Sequence, residues 1–231
     1  MNVKCLAVDS DFDIANSYVL EWERRCVSME CVDDMTEGIQ KLLLDDEYIF
    51  VGINGDAVDF MPLLRTMRSV TNIPVFIVVS DSNFTTESEV AAIEEGADLY
   101  ARWHKSPENN VTSVLAHIER LSARSRMPRP VSDIRVCRYL LIAPLQHSVF
   151  VKNKKIEISK IEFDILYHFM DNRGLVLTAA QIYRRVWNED YRESNNEAVK
   201  SSIKRIRKKI SGNENDTDFI ENIRGVGYKM P

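Results

Sequence analysis

The run Asn195-Asn-Glu-Ala-Val-Lys-Ser-Ser-Ile-Lys-Arg-Ile-Arg-Lys-Lys-Ile210 has the spacing of a single amphipathic helix. At about 100° per residue, Val199, Ile203, Ile206 and Ile210 fall within a narrow arc and form a core-facing seam. Ser201, Lys204, Arg205 and Lys208 lie roughly opposite, with Lys200 and Arg207 flanking one side. A charged outer face commonly means only solvation. Here it is of one sign, Glu197 near the helix start being its sole acid. The small hydroxyls of Ser201 and Ser202 leave room for close approach to another surface. A cationic rod of this kind fits the major groove of a nucleic-acid duplex, which is about 12 Å wide.

The neighbouring residues extend this helix into an α+β domain over residues 133–231. Short strands are expected at Ile134–Cys137, Tyr139–Ile142 and His147–Lys152, with Asn153-Lys154 as a hairpin turn. Ser159 and Glu162 have capping-box spacing for a helix whose apolar stripe is Ile161, Ile165, Leu166 and Phe169. Asn172-Arg-Gly174 breaks that helix, and Thr178 caps a second one, Ala179–Trp187. Phe219-Ile-Glu-Asn-Ile-Arg-Gly-Val-Gly-Tyr-Lys-Met230 reads as a Gly-rich β-hairpin with Arg224 near its tip. That cation either solvates the turn or reaches a narrow groove beside the cationic helix. Trp187, Ile203, Ile206 and Tyr228 are expected in the core.

Upstream, Ser122-Ala-Arg-Ser-Arg-Met-Pro-Arg-Pro-Val131 has two prolines and no apolar periodicity, so residues 123–132 are expected to be a linker. The charge changes sign there. Residues 1–122 hold 9 Lys+Arg against 22 Asp+Glu, and residues 123–231 hold 21 against 13, within a net charge of −5. An acidic half joined to a basic half points to a polyanionic partner for the second.

Residues 1–122 alternate five apolar runs with five helical patterns. The runs are Val3–Val8, Ser28–Val32, Tyr48–Ile53, Val75–Val79 and Leu99–Ala101. The helical segments are Ile14–Arg24, Thr36–Leu44, Met61–Met67, Glu87–Glu95 and Asn110–Leu121. This predicts an α/β domain, a (βα)5 doubly wound parallel sheet with its site at the carboxyl ends of the strands. The residues to inspect are therefore Asp9–Asp11, Asn54, Val79–Ser80 and Arg102–Trp103.

The chain has 231 residues, 45% hydrophobic and 28% charged, enough for two cores. No apolar run approaches the roughly 20 residues that span a bilayer, and the start does not read as a signal peptide. Cys5, Cys26, Cys31 and Cys137 lack metal-ligand spacing, so a reducing cytoplasm and no metal site are expected. With four histidines and no Ser/His/Asp or Cys/His constellation, an enzyme is not expected.

Residues 133–231 resemble the winged-helix DNA-binding domain of OmpR/PhoB-type response regulators. The resemblance is carried by Ile158-Ser-Lys-Ile-Glu-Phe-Asp-Ile-Leu166, Leu177-Thr-Ala-Ala-Gln-Ile-Tyr-Arg-Arg-Val-Trp187, Val199–Ile210 and Ile223-Arg-Gly-Val-Gly-Tyr228. It implies a winged helix-turn-helix with Asn195–Ile210 as recognition helix and double-stranded DNA as partner. Ser201 and Arg205 match base-reading places, while Ser202, Lys204 and Arg207 match mostly phosphate contacts; Lys208 is expected to add to the salt-dependent phosphate binding. Asn222 and Arg224 match the wing, and the turn before the recognition helix matches a place that faces RNA polymerase or DNA backbone. Lys200 stands where an acidic residue is usual.

Residues 1–122 resemble the CheY-like receiver domain of the same regulators, most strongly at Ile73-Pro-Val-Phe-Ile-Val-Val-Ser80 and Gly96-Ala-Asp-Leu-Tyr100. In that family an acidic pair holds Mg²⁺, an aspartate accepts a phosphoryl group from a sensor kinase's relay, and a hydroxyl and a lysine engage it. The matching positions here are Asp9 and Ser10 with Asp11 beyond, Asn54 as acceptor, Val79 with Ser80 next to it, and Trp103. A neutral carboxamide forms no aspartyl phosphate, and Trp103 cannot pair with one. The expectation is a pseudo-receiver without phosphorylation or bound cofactor; the alternative is a conventional phosphorylation-switched regulator, with Asp56 in the turn beyond the strand. Asp9 and Asp11 retain two readings, residual Mg²⁺ ligands or a solvated helix entry. The family further implies a homodimer through about residues 87–121, with Asp98, Arg102, Glu119 and Arg120 as candidate ion-pair residues.

Overall fold

In the computed structural model the described residues are 3–9, 21–45, 47–102, 107–125, 133–211 and 219–231. The chain divides into two compact units, Met1–Ser132 and Asp133–Pro231.

The first unit is built on five strands, β1 (Val3–Val8), β2 (Val27–Val32), β3 (Tyr48–Asn54), β4 (Val75–Val79) and β5 (Leu99–Arg102). All neighbours run parallel, in the order β2-β1-β3-β4-β5. Four helices are α1 (Met35–Leu44), α2 (Met61–Arg68), α3 (Thr86–Glu94) and α4 (Pro107–Ser125); residues 21–24 are also helical. The β-region pleat splits the apolar runs between two covered faces. Cys5, Phe50 and Phe76 join Trp22 and Val111 in one core cluster. Leu6, Val8, Val51, Ile53, Val75 and Ile77 are buried with Met35, Ile39, Leu63 and Met67. Asp34 caps α1 by accepting the Glu37 N–H at 2.9 Å. The doubly wound order reverses between β1 and β3, which sets the carboxyl ends of those strands, Asp9 and Asn54, side by side.

The second unit begins with an antiparallel sheet, β6 (Arg135–Cys137), β7 (Leu140–Ala143), β8 (Ser148–Val151) and β9 (Lys154–Ile156), paired in that order. Helices α5 (Lys160–Asp171), α6 (Ala179–Trp187) and α7 (Asn196–Ser211) follow. The chain closes with β11 (Glu221–Ile223) and β12 (Gly227–Lys229), the latter also pairing with β10 (Val176–Leu177). Phe163, Leu166, Phe169, Ile182, Val199, Ile203, Ile206, Ile210 and Tyr228 share one core. Each of the α7 isoleucines contributes about 1.5–3 kcal/mol by its burial. Gly227 is required by close packing, because a Cβ there would lie 2.1 Å from the Leu177 carbonyl oxygen.

The structure departs from sequence expectation in a few places. The β8–β9 turn centres on Lys152 and Asn153, with φ of +48° and +66°, one residue earlier than expected. Two successive left-handed residues make the turn whose twist matches the flanking strands. α4 runs to Ser125, so residues 123–125 of the expected linker are helical. β10 went unanticipated, being two residues long and formed by pairing Val176 and Leu177 with Lys229 and Tyr228, far along the chain. Most of the expected helix Ile14–Arg24 and the segment 126–132 lie outside the described residues.

Candidate nucleic-acid interface and receiver pocket

The α7 seam is buried as expected, and its opposite face is cationic and exposed. Lys204 and Lys208 are exposed, as is Arg224 in the turn between β11 and β12. No ion pair engages these three among the described residues. Lys200 is exposed and lies 3.8 Å from Glu197. Ser201 is half-buried and Asn222 exposed. Gly225, with φ of +72°, turns the chain beside Arg224.

Two residues expected at the DNA backbone are instead buried. Ser202 is 1% exposed and Arg207 9%. At 100° per residue each sits only about 40° from a seam isoleucine, so the core reaches them. The Arg207 guanidinium donates to the Ile220 carbonyl through Nε at 3.2 Å and Nη2 at 2.6 Å. It therefore ties the segment entering the wing to α7, which corrects its assignment as a phosphate contact. Ser202 Oγ accepts from Arg205 Nη2 at 2.9 Å, a second correction.

Arg205 is 57% exposed but anchored from below. Its Nε donates to Glu162 Oε1 at 3.3 Å, and Lys209 Nζ donates to Glu162 Oε2 at 2.7 Å. The same Oε2 accepts the Ser159 N–H at 2.9 Å, completing the capping box of α5. Burial alone would push the Glu162 carboxyl up. The Lys209 ammonium and the Ser159 N–H and hydroxyl outweigh it and hold the carboxyl below the ordinary range.

A cleft of about 380 Å³ separates the wing from the starts of α6 and α7, lined in part by Thr178, Ala180, Asn196, Asn222, Gly225 and Gly227. Thr178 Oγ1 accepts the Gln181 N–H at 3.2 Å. The first N–H groups of a helix lack intrahelical acceptors and favour an anion.

In the first unit, Asn54 Nδ2 donates to Asp9 Oδ1 at 2.9 Å, with Asp9 3% and Asn54 4% exposed. Asn54 Oδ1 accepts the Asp56 N–H at 3.1 Å. Asp56 accepts the Ser80 N–H at 2.7 Å and Asn83 Nδ2 at 2.8 Å, one on each oxygen, joining the loops after β3 and β4. Val79 is 1% exposed. Ser10, Asp11 and Trp103 lie outside the described residues. Among the described residues no cluster of three or more His, Cys, Asp or Glu side chains is arranged to hold a metal ion.

Asp98 is not available to a partner chain. It is buried against Arg68 and accepts the Val75 N–H at 2.9 Å. Arg102 packs over the Phe84 ring at 4.3 Å and lies 3.8 Å from Asp81. Arg120 is exposed, and the Glu119 side chain lies outside the described set. On α3, Val90 is 51% and Ile93 45% exposed. Among the described residues no helix is long and apolar enough to cross a membrane.

Residues 153–230 match the family described as "Transcriptional regulatory protein, C terminal". The chain is 26% identical to the alkaline phosphatase synthesis transcriptional regulatory protein PhoP of Bacillus subtilis, over 100% of this chain and 97% of that protein. It is 26% identical to the response regulator ArlR of Staphylococcus aureus, over 96% of this chain and 97% of that one. Among solved structures, the response regulator DrrB, a Thermotoga maritima OmpR/PhoB homolog, aligns over 100% of this chain and 99% of its own. The identity is 24% and the TM-score 0.43. The Klebsiella pneumoniae RstA DNA-binding domain in complex with RstA box covers 42% of this chain and 96% of its own, at 21% identity and a TM-score of 0.40. Residues 153–230 thus carry the C-terminal domain of transcriptional regulatory proteins, and the whole chain, a parallel five-stranded unit followed by a winged-helix unit, is similar end to end to response regulators that control transcription.

Proposed function

We propose that this regulator binds specific double-stranded DNA without an aspartyl phosphate, as a homodimer on tandem half-sites in the cytoplasm. Lys204, Lys208 and Arg224 supply salt-dependent backbone and groove contacts, with Lys200 and Asn222 at the margin. Ser201 and Arg205 discriminate bases. The exposed cationic face of α7 beside the wing supports this reading, and the cleft at the start of α6 suits a backbone phosphate.

The observation that carries phosphorylation independence is the buried Asn54–Asp9 hydrogen bond. An amide at the acceptor position offers no nucleophilic carboxylate, and its N–H₂ already serves the neighbouring carboxylate. Asp56 has both oxygens engaged by Ser80 and Asn83, which does not favour it as a substitute acceptor. Dimerisation through about residues 87–121 would use the exposed Val90 and Ile93 rather than Asp98. RNA polymerase would meet the turn before α7, and a sensor kinase is not required for DNA binding.

Mass spectrometry after acetyl phosphate and Mg²⁺ tests the switch: no stoichiometric aspartyl phosphate is expected, and one at any receiver residue overturns it. Analytical ultracentrifugation with and without DNA carrying paired half-sites tests the dimer.

A further inference from the structure

Glu162 is 3% exposed, beneath a cationic face that includes Arg205 at 57% and Lys209 at 37% exposed. Its two oxygens receive Arg205 Nε, Lys209 Nζ and the Ser159 N–H. Arg205 is held at a second point by Ser202 Oγ. Of the five guanidinium hydrogens, those on Nε and one on Nη2 are thereby committed inward, and the two on Nη1 and the second on Nη2 remain for a ligand. A long side chain otherwise free to rotate is thus fixed with its outer edge defined.

We infer that Glu162 is a positioning residue for sequence recognition, which orients Arg205 for base readout and withholds part of the Arg205 and Lys209 charge from phosphates. The inference rests on the reading of α7 as the base-contacting helix. Two physical effects combine. A rigid fork recognises a base edge only in one orientation, so anchoring favours the specific complex. A buried carboxylate under the same two cations reduces their attraction to any duplex, so it disfavours the non-specific complex. Both raise the ratio of specific to non-specific affinity, the quantity that decides occupancy in a genome.

The test compares full-length wild type with Glu162→Gln, since glutamine also serves a capping box at this position. Two probes are used: the duplex selected from a random pool by the wild-type chain, and a random-sequence duplex of equal length. The expected result is tighter binding of the variant to the random duplex, with a salt slope steeper by about 1–2. The ratio of selected to random affinity should fall by between about 5- and 100-fold. A merely structural role would weaken both affinities together, and that result, or no change in either, overturns the inference. Arg205→Lys keeps the charge but loses the fork, and is independent of any folding defect at Glu162. It should lower the ratio while leaving random-duplex affinity near wild type; an unchanged ratio overturns the inference. If the wild-type chain itself binds neither duplex in a salt-dependent way, the DNA reading of α7 has failed first.

Discussion

Asn54 and Asp9 meet through a buried hydrogen bond, the Asn54 Nδ2 donating to Asp9 Oδ1 at 2.9 Å across the β1–β3 switch point. A neutral side chain stands against a buried carboxylate, so the pair needs no second negative charge to be offset.

Replacing Asn54 by Asp should therefore destabilise the first unit. Two buried carboxylates in contact cannot both ionise without cost, and the donor is lost as well. The expected loss is about 1–3 kcal/mol, seen as a lower melting temperature at neutral pH and partly recovered by added Mg²⁺. A melting temperature equal to wild type without Mg²⁺ would contradict the described contact.

Lys204→Ala, Lys208→Ala and Arg224→Ala should each weaken binding to selected and random duplexes alike. Each should flatten the slope of log affinity against log salt by about 0.9. Fluorescence anisotropy at several salt concentrations reads this directly.

Arg207→Met should behave differently from those three. It leaves the Ile220 carbonyl without its guanidinium donors in a buried place, which costs about 1–3 kcal/mol. The salt slope of the folded variant should stay close to that of wild type, because Arg207 faces the core and not the duplex. Chemical denaturation paired with anisotropy separates the two effects.

The Glu162 carboxyl has a folded value below its ordinary one, so its protonation opposes folding. The corresponding stability is fully present above the ordinary glutamate value, about 4.3. It is lost as pH falls through the lower folded value. Wild type should thus lose more stability than Glu162→Gln as pH drops from about 5 into that range, measured by denaturation of each protein against pH.

Much of the fold was legible because its signals are local. The apolar runs Val75–Val79 and Tyr48–Ile53, the caps at Ser159 and Thr178, and the isoleucine seam of α7 all declare themselves within a few residues. The site was legible only as far as a helical wheel extends. It placed Lys204 and Lys208 correctly on the exposed side, but could not show that the core edge takes in Ser202 and Arg207. Glu162 was visible as a capping residue. Its contacts with Arg205 and Lys209 span 43 and 47 residues, and no local pattern encodes them. Asp98 was misread for the same reason: its Arg68 partner lies 30 residues away.

The most direct measurement is the affinity of the purified full-length chain for its selected duplex, across a salt series, before and after treatment with acetyl phosphate and Mg²⁺. The expected result is tight, steeply salt-dependent binding that is the same in both states, with no phosphoryl group on the protein. Binding that appears only after treatment, together with a phosphorylated aspartate, would contradict a regulator that carries Asn54 at the acceptor position.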